Sequence, residues 1–106
     1  MANLEHLKKL MGDASLAARF LQLFRSQMPL QMDALRQHID LQNWDAAGAE
    51  AHAIKGQLRY LGEEAAATLA YRIEQLAEQG GGAGAAAFVA ALDEQLKRIL
   101  EEIDTE

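Results

Sequence analysis

The stretch Ala51-His52-Ala53-Ile54-Lys55-Gly56 decides how the rest of the chain is read. On a helix, at about 100° per residue, Ile54, Leu58 and Leu61 share one face, with Ala47 and Ala51 beside them. His52 points nearly the opposite way. Its neighbours along the helix are Gly48, Lys55, Gly56 and Arg59, at i−4, i+3, i+4 and i+7. One face is therefore apolar, and the other carries a histidine, two cations and two glycines. Each glycine costs roughly 1 kcal/mol against alanine inside a helix, and this chain uses alanine freely elsewhere. Glycine on either side of His52 leaves room for another surface to reach the imidazole. Lys55, one turn on, offers positive charge to an anion held there. The stripe reads as an exposed histidine that meets a negatively charged group.

Working outward, Asn43 suits the N-cap of this helix and Asp45 its first turn. The helix is expected from about Trp44 to Leu61, with Gly62 ending it in the left-handed conformation. Upstream, Leu16, Phe20, Leu23, Phe24, Met28, Met32, Leu35 and Ile39 recur at helical spacing. They predict one long helix from about Ala14 to Ile39, capped by Asp13, with Pro29 kinking it. Its phenylalanines and methionines read as core rather than as a ligand pocket. Leu4, Leu7, Leu10 and Met11 mark a short packing helix from Asn3 to Met11, broken by Gly12-Asp13. Downstream, a helix is expected from about Glu63 to Glu78, with Ala66, Leu69, Ile73 and Leu76 inward. The run Gly80-Gly81-Gly82-Ala83-Gly84 lacks the Lys-Ser/Thr of a P-loop and follows no strand, so it reads as a flexible connection. The last helix spans about Ala85 to Ile103, with Phe88, Leu92, Leu96, Ile99 and Ile103 inward. The expected fold is all-α: an antiparallel up-down four-helix bundle, a short N-terminal packing helix over one end, and a single domain over residues 1–106.

Composition removes several function classes. The chain has no cysteine, which excludes disulfides and thiolate metal sites and fits a reducing, cytoplasmic setting. No apolar run is long enough to span a bilayer, and the N-terminus lacks a signal-peptide pattern. A net charge of −6 argues against nucleic acid as a general partner.

The spacing His52-x-x-Lys55-Gly56, with Gly62 ten residues after the histidine, resembles the signature of the histidine-containing phosphotransfer (HPt) domain. The flanks are similar to that family too. They include Phe20 and Phe24, then Pro29, Leu35 and Asn43-Trp44-Asp45, and after the motif Leu69 and the Ile73-Glu74 pair. The resemblance runs from about Leu16 to Leu76. It implies that His52 is the phospho-acceptor, Lys55 the cation beside the phosphoryl group and Gly56 the close-approach glycine. It places Glu74 at the acceptor site, where the family often has Gln or Glu. Arg59 departs from the pattern, since the family usually has a small residue there, and Gln57 departs similarly. Arg59 either adds a second cation for the phosphoryl oxygens or crowds the docking face.

The residues themselves bear on this. Of the three histidines, His6 and His38 have no neighbours of chemical interest. A metal site needs converging ligands, and His52 has none on its own helix; Glu74 could approach from the next. A hydrolase would need a nucleophile near the histidine, and the only serines are Ser15 and Ser26. Phosphoryl acceptance needs a neutral imidazole, positioning and charge stabilisation, and an ordinary imidazole with a pKa near about 6.5 is largely neutral at cytoplasmic pH. The chain has no ATP-binding loop. It therefore reads as a carrier without autokinase activity, with no cofactor or metal of its own. The resemblance implies that the donor and acceptor are aspartates of response-regulator receiver domains, free or within a hybrid sensor histidine kinase. The divalent metal then sits in the receiver. A monomer that binds neither membrane nor nucleic acid is expected. The alternative is a non-phosphorylated helical interaction module that docks a signalling partner through the same face.

Overall fold

The computed structural model describes residues 2–105, with side chains from Leu4 to Thr105. The expected domain limits, Met1 and Glu106, lie outside the described residues. Five helices follow one another: α1 (Ala2–Met11), α2 (Ala14–Asp40), α3 (Trp44–Tyr60), α4 (Glu64–Glu78) and α5 (Ala85–Asp104), with no strand among the described residues.

Local chemistry sets their ends. The Asp13 carboxylate accepts the N–H groups of Ser15 at 2.7 Å and Leu16 at 3.1 Å, and so starts α2. Asn43 accepts the N–H of Ala46 at 3.4 Å and starts α3. At the end of α3, Gly62 takes φ +74°. The N–H of Gly62 reaches the carbonyl of Arg59 at 3.0 Å, and that of Glu63 reaches Leu58 at 2.9 Å. This double closure satisfies two orphan carbonyls and needs a residue that tolerates positive φ. Helix α2 runs without interruption through Pro29.

Each of α2 to α5 packs on its sequence neighbour, and α5 also touches α2. Between α2 and α5, Arg25 reaches Asp104 at 3.1 Å and Arg36 reaches Asp93 at 2.6 Å. Helices α3 and α4 share the most extensive interface. Small residues allow it: Ala47 and Ala51 on one helix, and Ala66, Ala67, Ala70 and Ala77 on the other, are all buried. Phe24, Met28, Leu35, Ile54, Leu58, Ile73, Leu92 and Ile99 fill the centre, and Leu7 joins them from α1. Helix α1 packs against α2, and its His6 ring lies against Gly62. It thus sits near the end of α3.

Several inward positions differ from expectation. Leu16 and Leu23 are exposed, and the core face of α2 is Ala17, Leu21, Phe24, Met28, Met32 and Leu35. A small residue, Ala17, takes the inward position, because the helical period from Phe24 runs through Leu21 to it rather than through Leu23 to Leu16. Leu10 is also exposed, and Phe20, Ile39, Leu69, Leu76 and Phe88 are only half-buried at the rim. The glycine-rich connection is not free throughout. Gly81 (φ +92°) lies so close to the Trp44 indole that a Cβ would collide with it.

Candidate functional site

His52 projects from the middle of α3, and its side chain is 67% exposed. Its Nδ1 lies 2.8 Å from Oε2 of Glu74 on α4. The other Glu74 oxygen, Oε1, accepts the Lys55 ammonium at 2.6 Å. One carboxylate thus bridges the histidine and the lysine, and it does so from a site where its own side chain is only 13% exposed.

Two competing effects act on Glu74. Burial pushes its carboxyl up, while the hydrogen bonds and charges of Lys55 and His52 push it down and prevail, holding it below the ordinary value of 4.5. Glu74 is therefore an ionised acceptor at neutral pH. An ionised carboxylate has no proton to give, so Nδ1 is the donor. In the neutral ring that leaves the lone pair on Nε2. The arrangement fixes one tautomer and presents a nucleophilic nitrogen on an exposed ring.

Lys55 does not stand on the open face. Its side chain is 11% exposed, tied to Glu74, with the ammonium 5.0 Å from the centre of the Tyr71 ring. Lys55 and Gly48 lie about 60° and 40° from His52 on the same side of the helix, and that side is the one α4 covers. Gly48 is accordingly a packing residue as well as a groove residue: a Cβ there would lie 3.3 Å from the Ala77 Cβ. Gly56 turns the other way, and a Cβ there would meet nothing within 4 Å. Only Gly56 therefore leaves the approach to His52 open in the way the glycine spacing suggested. Arg59 is exposed and makes no ion pair or hydrogen bond with the described residues.

An open groove on the N-terminal side of His52 is lined by Trp44, Asp45, Gly48, Glu74 and Glu78, among others. Sequence reasoning did not single out Trp44, Glu78 or Tyr71 for this site. Tyr71 precedes Glu74 by three residues, the same i, i+3 spacing that joins His52 to Lys55, and this spacing was the available signal. His6 and His38 lie apart from the site, His6 on Gly62 and His38 half-buried in α2. Among the described residues no group of three His, Cys, Asp or Glu side chains could hold a metal ion.

Comparison with protein families decides the assignment. The model of the Hpt domain family matches residues 19–105. The chain belongs to the Hpt domain family. Hpt domains are phosphotransfer carriers that act through a histidine in phosphorelays and interact with response-regulator receivers. The all-helical fold agrees with this membership. Searches of curated proteins and of solved structures gave no match. No helix of this Hpt domain, among the described residues, is long and apolar enough to cross a membrane.

Proposed function

We propose that His52 is the phospho-acceptor of this Hpt domain, taking a phosphoryl group from a receiver aspartate and passing it to another. The observation that carries this reading is the exposed His52 ring, whose Nδ1 is held at 2.8 Å by Glu74. In the forward step the Nε2 lone pair forms a bond to phosphorus. The bond from phosphorus to the receiver's aspartyl oxygen breaks, and that carboxylate leaves with the electron pair. The ring keeps its Nδ1 proton and becomes a phosphoimidazolium. Glu74 then lies beside the new positive charge, which it stabilises without reorganising. Onward transfer reverses these bond changes at a second aspartate. Gly56 leaves room for the receiver to close on the ring. Arg59, exposed and unpaired among the described residues, supplies a cation to the phosphoryl oxygens as charge spreads over them.

Residues 1–106 act as one domain in this reading, a monomeric cytoplasmic carrier built as an antiparallel up-down four-helix bundle with α1 over one end. The pairs Arg25 with Asp104 and Arg36 with Asp93 support opposite directions for α2 and α5. His52 with Glu74 and Gly48 with Ala77 do so for α3 and α4. The receivers are free response regulators or parts of a hybrid sensor histidine kinase.

Incubation with a phosphorylated receiver and magnesium, followed by intact-mass measurement, tests the proposal. The wild-type chain should gain one acid-labile phosphoryl group and His52→Gln none. No gain by wild type would leave the His52 face as a docking surface alone. A gain by His52→Gln would move the chemistry to another residue.

A further inference from the structure

Tyr71 has no part in the chemistry described so far, and it is 41% exposed, yet its ring lies under the Lys55 ammonium. Helix α4 presents Tyr71 and Glu74, three residues apart, to His52 and Lys55, three residues apart on α3. The Lys55 ammonium lies between a carboxylate oxygen at 2.6 Å and an aromatic ring at 5.0 Å. A cation over a ring face is attracted to it, and more strongly when water is kept away. Lysine is flexible and well hydrated. Without the ring, Lys55 would have one partner only and could swing toward solvent.

The position of that ammonium matters to His52 through Glu74. A carboxylate that shares its charge with Lys55 orients the imidazole while favouring its protonated form less than a bare carboxylate would. The titratable groups in the same groove are Asp45 from α3 and Glu74 and Glu78 from α4. All three are acidic; Lys55 is the cation bound to Glu74 among them, and Arg59, two turns on from His52 along α3, is the exposed cation on the same face. We propose that Tyr71 is a positioning residue for transfer at His52: its ring holds the Lys55 ammonium on Glu74 and so sets how much carboxylate charge the imidazole feels. This rests on His52 being the acceptor.

The test is the pH profile of phosphoryl acceptance from a phosphorylated receiver, in wild type, Tyr71→Phe, Tyr71→Leu, Lys55→Met and the double variant of Tyr71→Leu with Lys55→Met. Loss of the ring should let Glu74 favour the protonated imidazole, which cannot attack. The acidic limb for Tyr71→Leu should move to higher pH by about half a unit, roughly a three-fold loss of rate on that limb. Tyr71→Phe keeps the ring face and should keep the wild-type profile. Lys55→Met should reproduce the shift, and Tyr71→Leu should add nothing to it, because both act through one charge. Independently of folding in any variant, the Lys55 side-chain protons next to the ammonium should show an upfield ring-current shift in the wild-type proton NMR spectrum. A wild-type profile for Tyr71→Leu, a displaced profile for Tyr71→Phe, additive shifts in the double variant, or unshifted Lys55 protons would each overturn the proposal. His52→Gln runs alongside. Transfer that survives in it overturns the acceptor reading, whereas a silent His52→Gln with a wild-type Tyr71→Leu overturns the role of Tyr71 alone.

Discussion

Gly48 and Gly56 occupy equivalent distances on either side of His52, but substitution should separate them. At Gly56 a methyl group meets open space. Gly56→Ala should therefore raise the stability by up to about 1 kcal/mol through helix propensity, measured by denaturant unfolding, while slowing transfer by narrowing the approach. At Gly48 the new Cβ presses on Ala77. The propensity gain should be offset by the forced separation of α3 and α4, and Gly48→Ala should show no comparable gain. Arg59 is the other informative residue. If its guanidinium meets the phosphoryl oxygens, Arg59→Ala should slow transfer by about ten-fold, the worth of one charge-assisted contact. Stopped-flow or quenched transfer assays over several receivers would read it. Unchanged or faster transfer would assign Arg59 to crowding of the docking face. His52, Gly56 and Arg59 were legible as one exposed face because their direction follows from the helix they stand on. Lys55 was legible as a residue of the site but not in its surroundings, because nothing within α3 says which flank α4 covers.

Helix limits were readable because they rest on short-range chemistry. Asp13, Asn43 and Gly62 each close or open a helix with groups two to five residues away. Inward faces were harder where large and small apolar residues compete. In α2 the bulky Leu16 and Leu23 looked inward, but Ala17 and Leu21 are the buried pair. That register has a direct consequence. Leu16→Ala and Leu23→Ala should each change stability by less than about 0.5 kcal/mol, as substitutions at exposed positions do. Leu96, 3% exposed in α5, should cost about 2–5 kcal/mol when cut to alanine. Leu69 is half-buried at the rim of α4 and should cost less than Leu96. Equal losses at Leu16 and Leu96 in urea unfolding would contradict the register. The same element-level logic explains why Tyr71 was missed: its i, i+3 spacing to Glu74 marks a shared face of α4, but nothing within α4 says that Lys55 of α3 docks on that face.

At the scale of the whole molecule, the site and the stability are linked through Glu74. Its folded carboxyl titrates below the ordinary value of 4.5 because Lys55 and His52 outweigh the burial that pushes it up. A depressed folded value contributes stability that is present above the ordinary value and lost as pH falls through the folded one. The thermal midpoint of wild type should therefore fall more steeply than that of Glu74→Gln as the pH drops below about 4.5. Parallel curves would show that Glu74 adds nothing to the fold. At neutral pH, Glu74→Ala should cost roughly 1–3 kcal/mol, since it leaves the buried Lys55 ammonium without its carboxylate. The helix order and most of the core followed from periodicity, whereas the bridge from α3 to α4 required the tertiary structure. That bridge assigns the proton to Nδ1 and the lone pair to Nε2. Heteronuclear NMR of nitrogen-15 histidine-labelled protein, phosphorylated by a receiver, tests this most directly. Phosphorus coupling to Nε2 of His52, with Nδ1 still protonated, is the expected result. Phosphorus on Nδ1 of His52, or on another residue, would contradict it.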